Sequence, residues 1–343
     1  MNNIKLLAID IAKNVFQLHG NDNNGKCIYK KRLKRSSLLS TVANIPECLI
    51  VMESCCGSNY WYRKFTKIGH KVKLIAPQYV KPFVKTNKND ANDAEAIAEA
   101  ASRPNMRYVE AKTVNQQDIQ SIHKIRSRLV KNRIQLTNQV RGLLLEYGIP
   151  INQGIKSVSK YLPEILDDTE SELTTLTKEL IIDLYNEIQA VSKKIKAYDK
   201  RITDLAKSQE QCVRLMKLEG IGEITATAVM STLNDPKCFK NGRHFAAYLG
   251  LVPKQNSSGQ KQKLLSISKR GNTYLRTLLI HGARSAILRS ANKFDNKSLW
   301  IQKKLVRSGY CRTAIALANK NARIIWSLVS NNTEYKENYK QIA

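Results

Sequence analysis

The chain has 343 residues, enough for two or three domains, and 42% of them are hydrophobic, the level of folded protein rather than a disordered tail. Against 28 Asp and Glu stand 57 Lys and Arg, a formal charge of +29 that repels itself unless a polyanion or counterions offset it. Nucleic acid is the expected polyanion; no apolar run approaches a spanning helix and no signal-peptide pattern opens the chain, so no membrane partner and a cytoplasmic setting are expected.

The first hundred residues alternate strand and helix patterns. "IKLLAIDIA", "VFQLHGND" and "KCIYKKRL", with turn residues between them, predict a three-stranded meander with Asp10 near the end of its first strand. "SSLLSTVANI" has helical spacing, and "CLIVMES" is a buried-strand run ending at Glu53. "SNYWYRKFTKIG" predicts a helix stopped at Gly69, and "KVKLIAP" a further strand stopped by Pro77. This alternation predicts an α/β layer with parallel pairing after the meander, over residues 1–113. Over 114–206 the pattern becomes heptad. Ile122, Leu129, Leu136 and Leu143 repeat every seven residues; Leu184, Ile188, Val191, Ile195, Tyr198, Ile202 and Leu205 alternate four and three. The prediction is an antiparallel coiled-coil hairpin, with a connector broken by Gly148, Pro150, Gly154 and Pro163, and with heptads suited to pairing with another subunit. Residues 207–331 read as a mainly α-helical, basic third part, and 332–343 as a frayed polar tail. Between Asp235 and Asp295 lie twelve Lys or Arg and no acid. A solvated face mixes both signs, so this run reads as a phosphate-facing surface.

Four acids stand out in so basic a chain. Asp10 and Glu53 end strands whose carboxyl ends converge on one edge of a parallel sheet. Asp90 and Asp93 are three residues apart at a predicted helix start and face the same way. Each alone is explained as a cap or dipole partner. Together they would repel one another unless a divalent cation such as Mg²⁺ neutralised them, and such ions activate and stabilise oxygens in phosphoryl chemistry. Seven cysteines without a CxxC pair, and five scattered histidines, offer no zinc site or disulfide framework. In "NSSGQKQKLLSISKRGNTYLR", Asn256-Ser257-Ser258-Gly259 reads on its own as a turn, because no base lies near in sequence to activate a serine. Gly220-Ile221-Gly222, before an Ala-rich helical run, fits either a plain helix–helix turn or a helix-hairpin-helix turn whose backbone N–H groups take a phosphate. Tyr60, Trp61 and Tyr62 could stack on bases, but helix packing is the favoured reading.

"AIDIAKNVFQL", "VMESCCGSNYW", "PQYVKPFVKTNKNDANDAEAIAEAA" and "YLGLVPKQNSSGQKQKLLSISKRGNTYLRTLLIHGARSA" together resemble the DEDD-type insertion-sequence transposases, relatives of the Piv invertase and known as bridge-RNA-guided recombinases. The resemblance spans almost the whole chain. It implies a RuvC-like, RNase H-fold first domain whose metal-binding acids are Asp10, Glu53, Asp90 and Asp93. It implies that Ser258, directly before the glycine, is the DNA nucleophile, with Ser257 the alternative if the match slips by one. It also implies a 5′-phosphoserine intermediate, a Mg²⁺-assisted site completed across subunits, a bridge RNA, DNA substrates in the nucleoid, and a dimer that assembles to a tetramer. Lys261, Lys263, Lys269, Arg270 and Arg276 follow from charge and motif as phosphate holders, with Gly220 and Gly222 as further nucleic-acid contacts. Two other functions fit part of the pattern: a Holliday-junction nuclease using the four acids and water, and a non-catalytic nucleic-acid-binding protein. A serine has no task in the nuclease, and the intact acid quartet and Ser-Ser-Gly argue against the non-catalytic protein.

Overall fold

The strand runs read from the sequence form a single sheet. The structure, a computed structural model, describes residues 3–85, 90–233, 235–259 and 261–336, apart from the side chains of Asp90 and Ala91. It divides into two units, Met1–Thr113 and Val114–Ala343.

In the first unit, β1 (Leu6–Ile11), β2 (Val15–Asn21) and β3 (Cys27–Lys34) make the expected antiparallel meander. The Asp22 carboxylate turns the chain between β2 and β3 by accepting from the Asn24 and Lys26 backbone N–H groups, each at 2.9 Å. There follow α1 (Arg35–Ala43), β4 (Leu49–Glu53), α2 (Ser58–Lys67), β5 (Lys71–Ile75), α3 (Pro77–Val80), α4 (Asp90–Ala101) and β6 (Tyr108–Val109). The sheet order is β3-β2-β1-β4-β5-β6, with β1, β4 and β5 parallel and β6, which the sequence pattern did not reveal, antiparallel to β5.

Strand alternation sorts the side chains between two helical layers. Leu7 and Ile9 of β1, Ile50 and Met52 of β4, and Leu74 of β5 pack against Leu38 and Val42 of α1 and Trp61 and Phe65 of α2. On the opposite face Ala8, Val51 and Ile75 meet Ala96, Ile97, Ala98 and Ala100 of α4. Small alanines on the buried face let α4 approach the sheet closely. Trp61 is buried between Phe16, edge-on at 5.2 Å, and Phe65, stacked at 5.4 Å, so it packs as the sequence favoured.

In the second unit, α5 (Val114–Glu146) and α7 (Thr175–Ser208) lie antiparallel. Arg126 pairs with Asp199 near one end, and the Tyr147 hydroxyl meets Thr177 Oγ1 at 2.8 Å near the other. The seam on α7 follows the expected positions, with Ile188, Val191, Ile195 and Ile202 buried. The seam on α5 does not. Of its four predicted residues only Leu129 is buried, while Gln116, His123, Thr137, Val140 and Leu144 form the buried register. Polar residues therefore occupy inward positions, where each needs a partner. Gln116 donates to the Met230 carbonyl at 3.0 Å, and His123 bridges Tyr274 and Thr227, both at 3.0 Å. The connector is also more ordered than its Gly and Pro suggested. It contains α6 (Ile155–Asp167), which includes Pro163 and buries Val158 and Leu162 with Val140, Leu144 and Ile181.

The remaining elements are α8 (Glu210–Met216), α9 (Glu223–Met230), α10 (Gly242–Tyr248), the ribbon β7 (Pro253–Gln255) and β8 (Leu264–Ile267), α11 (Thr273–Arg289) and α12 (Asn296–Asn331). Asn272 and Asp295 cap α11 and α12 through side-chain oxygens. Their core joins Leu215, Val229, Phe245, Leu279, Leu317 and Ile325. Gly309, at φ 73° and ψ 170°, breaks α12 into two limbs. Lys320 Nζ lies 4.6 Å from the Trp300 ring, whereas twenty residues of unbroken helix would span about 30 Å, so the chain doubles back at Gly309. The start of the tail is anchored rather than frayed: Lys217 pairs with Glu334 at 3.1 Å, and Tyr335 packs on the core. Residues 337–343 lie outside the described residues. No helix among the described residues is long and apolar enough to cross a membrane.

Candidate active site

Asp10 is the penultimate residue of β1 and Glu53 the last of β4, and the register pairs Ile9 with Met52 just before them. Leu6 and Ala8 of β1 and Leu49 and Val51 of β4 face α4, and strict alternation carries Asp10 and Glu53 to that same face. Both carboxylates are half-buried. The thiol of Cys55 lies near both: burial first, then the charges of Glu53 and Asp10, push its pKa up to about 11. It is therefore protonated at neutral pH, and no thiolate competes there for a hard cation.

Asp93 stands half-buried in the first turn of α4, one turn after Asp90, whose side chain lies outside the description. Acids farther along α4 are already neutralised. Glu95 meets Lys30 at 3.6 Å and Lys85 at 3.2 Å, and its carboxyl is held below the usual range first by the Lys85 hydrogen bond. Glu99 pairs with Lys85 at 3.3 Å and Arg103 at 2.8 Å. Asp93 has no ion pair among the described residues. The donors Asp10, Glu53 and Asp93 are all carboxylates, which suits Mg²⁺ rather than zinc. Among the described residues no three acid, His or Cys side chains stand close enough together to hold a metal.

The serine motif builds a ribbon, where the sequence alone showed only a turn. Asn256 donates to the Lys263 carbonyl at 2.9 Å, and Ser258 and Lys261 exchange backbone bonds of 3.3 and 3.1 Å. Leu264 and Leu265, adjacent on β8 and so on opposite faces, are 68% and 43% exposed. Both faces of the ribbon are thus open, and it stands as an arm. The two serines differ sharply. Ser257 Oγ accepts from Gln255 Nε2 at 3.0 Å and from the Lys263 backbone N–H at 3.3 Å, tying the arm together. Ser258 is exposed near the tip, and its hydroxyl has no hydrogen-bond partner among the described residues.

Lys261, Lys263, Lys269 and Arg270 are exposed on the arm and its base. Lys269 adopts a left-handed conformation, φ 55°, which costs a non-glycine residue about 1–2 kcal/mol. Arg276 does not belong to this surface. It is buried, and its guanidinium donates to the carbonyls of Leu249 at 2.9 Å and Arg270 at 3.0 Å and to Thr273 Oγ1 at 3.0 Å. It clamps the base of the arm. Gly220 is likewise occupied inside the fold: a Cβ there would sit 2.6 Å from the Gly282 carbonyl oxygen, so the loop lies backbone to backbone on α11. Gly222, the cap residue of α9, faces open space.

Comparison with known proteins places these features in a lineage. The profile described as the IS116/IS110/IS902 transposase family matches residues 212–298, and a DEDD transposase profile matches residues 7–149. The chain is 49% identical over 336 residues to the transposase for insertion sequence element IS1111A of Coxiella burnetii, covering 98% of this chain and 92% of that one. It is 46% identical to a probable family 20 transposase of Pseudomonas aeruginosa, covering 97% and 99%, and 38% identical to the transposase for insertion sequence element IS1328 of Yersinia enterocolitica, covering 98% and 100%. The chain belongs to the IS116/IS110/IS902 family of insertion-sequence transposases. In this transposase the IS116/IS110/IS902 profile takes in the arm with Ser258, and the DEDD profile takes in all four acids. Most of α12, from Leu299 onward, lies outside both.

Proposed function

We propose that this transposase cuts and rejoins DNA through a covalent bond to Ser258, assisted by a divalent cation held by Asp10, Glu53, Asp90 and Asp93 in an RNase H-like domain. The observation that carries the reading is the contrast between the two serines: Ser257 is spent on the ribbon, while Ser258 presents an uncommitted hydroxyl at an exposed tip. When bound, the cation would lower the pKa of an attacking hydroxyl and offset charge on the phosphate oxygens. Ser258 Oγ attacks phosphorus and forms a 5′-phosphoserine ester, while the P–O3′ bond breaks and the departing oxygen takes a proton to become a free 3′-hydroxyl. In the second step a 3′-hydroxyl attacks the phosphoserine, restores the diester and returns the proton to Ser258. Lys261, Lys263, Lys269 and Arg270 hold the flanking backbone. A bridge RNA supplies the sequence match, and α5 and α7 supply a coiled-coil contact to further subunits.

The test is a trapping assay with Mg²⁺, element-end DNA and RNA from the element's flanking non-coding region. A protein–DNA band on a denaturing gel is expected for wild type and Ser257→Ala, and no band for Ser258→Ala or Asp90→Ala. Cleavage without an adduct, equal in Ser258→Ala, would instead make the protein a nuclease that uses water.

A further inference from the structure

A second basic site lies in Val114–Ala343, lined by residues not so far given a role. The two limbs of α12 and the start of α10 enclose an open cleft of about 680 Å³, within the rough 300–1,000 Å³ range of ligand clefts. Arg243, Lys320 and Arg323 line it together with Trp300 and Trp326, and no acidic residue among the described residues does. None of the three cations forms an ion pair among the described residues, although Lys217, Lys293 and Lys297 elsewhere in this unit all have carboxylate partners.

The walls are fixed. Trp326 donates its indole N–H to the Pro236 carbonyl at 2.9 Å, and Asn319 donates to the Leu251 carbonyl at 3.1 Å, which leaves the Asn319 side-chain oxygen free to accept. Gly242 holds α10 against α12 at a spacing no side chain would permit, since a Cβ would lie 2.9 Å from the Arg323 carbonyl oxygen. Lys320 is half-buried with its ammonium 4.6 Å from the Trp300 ring, and burial first, then the charge of Arg323, lower its pKa. A solvated charged face would interleave acids and keep its lysines in water. Here Lys320 is held over the Trp300 ring, Arg243 and Arg323 stand exposed on the same lining, and none of the three has an acid partner among the described residues. The ligand that answers this is anionic and flat: a phosphate for the cations and a ring for the indole.

We propose that this cleft binds an unpaired nucleotide of a single-stranded segment, its base against Trp300 and its phosphate on Lys320, Arg323 and Arg243. A paired base hides its face in the stack, so duplex gains only the phosphate contacts. The site needs neither Ser258 nor the four acids and therefore stands apart from the strand-transfer reading.

The experiment uses the full chain in a metal chelator, so that cleavage does not intervene. Short oligothymidylate and oligouridylate carrying a 5-iodo base are irradiated with the protein, crosslinked peptides are sequenced, and affinity is followed by anisotropy across a salt series. The expected result is a crosslink at Trp300, an affinity about 10-fold weaker for Trp300→Leu and near wild type for Trp300→Phe, which keeps a stacking face. Lys320→Gln and Arg323→Gln each lower the salt slope by about 0.7, the single-strand value per phosphate. These charge variants keep the test open if Trp300→Leu fails to fold. A DNA preference or an RNA preference identifies which strand uses the site. Crosslinks that avoid Trp300, together with unchanged affinity and salt slope in the charge variants, would overturn the proposal. If the adduct assay fails while these results hold, only the serine reading falls.

Discussion

Single residues in the arm carry opposite tasks that their chemistry alone does not separate. Arg270 and Arg276 are both arginines of one basic motif, yet one is exposed and the other is a buried clamp on the Leu249 and Arg270 carbonyls. Arg276→Met should leave those acceptors without their charged donor and cost about 3 kcal/mol in urea unfolding, whereas Arg270→Met should change stability by less than about 0.5 kcal/mol. Equal destabilisation by the two would remove the clamp assignment. The glycines divide in the same way. A Cβ on Gly282 would sit 1.8 Å from the Gly220 carbonyl oxygen, with backbone on both sides and no flexible side chain to yield. Gly282→Ala should therefore cost more than about 3 kcal/mol or prevent folding, while Gly222→Ala, which meets nothing within 4 Å, should fold as wild type. Sequence alone left Gly-x-Gly open between a plain helix–helix turn and a phosphate turn. What it could not show was that the partner of Gly220 lies sixty-two residues farther on, at Gly282.

At the scale of elements, strands were legible and helix seams less so. The meander, β4 and β5 followed from apolar runs and turn residues, and alternation then placed Asp10 and Glu53 on one face, because a strand has only two faces to offer. The α5 seam escaped because a long helix offers several possible stripes, and aliphatic spacing favoured Ile122, Leu136 and Leu143 over a register containing Gln116, His123 and Thr137. The ribbon at the serines escaped because its strands are short and both faces are exposed, so no burial pattern marked them. His123 makes the α5 register testable. It joins α5 to α9 through Thr227 and to α11 through Tyr274, and burial first, then the charge of Arg126, lower its pKa from 6.5 to about 4. The folded state thus binds the proton more weakly than the unfolded state. Stability from this group is fully present above about pH 6.5 and is lost as pH falls toward 4. Between pH 7 and pH 5 the loss should be about 2 kcal/mol. Urea unfolding followed through Trp300 and Trp326 in a Trp61→Phe background would measure it, and His123→Gln should flatten that part of the acid limb. A limb unchanged by the substitution would mean that His123 is not the titrating joint.

Across the whole molecule the charge of +29 is unevenly spread, and the unevenness assigns work to parts of the chain. Residues 114–206 hold 14 Lys and Arg against 12 acids, close to neutral, whereas residues 207–343 hold 24 against 7. A nearly neutral pair of long helices can meet another protein surface without first shedding counterions, and the basic remainder is where a polyanion gains most. The arm concentrates this further, with Lys261, Lys263, Lys269 and Arg270 exposed within ten residues and no acid between Asp235 and Asp295. If these four side chains each neutralise a duplex phosphate, replacing all four by glutamine should reduce the slope of log affinity against log salt by roughly three to four, at about 0.9 per contact. The control keeps net charge equal. Lys193, Lys194, Lys196 and Lys200 are exposed on α7, and changing these four to glutamine removes the same charge from the near-neutral helices. Their removal should leave the salt slope within about one unit of wild type, because a long-range field is screened within about 10 Å at ordinary salt while a direct phosphate contact is not. Equal slopes for the two quadruple variants would show that net charge rather than the arm governs DNA binding, and the arm would lose its proposed role as the surface that carries duplex to Ser258.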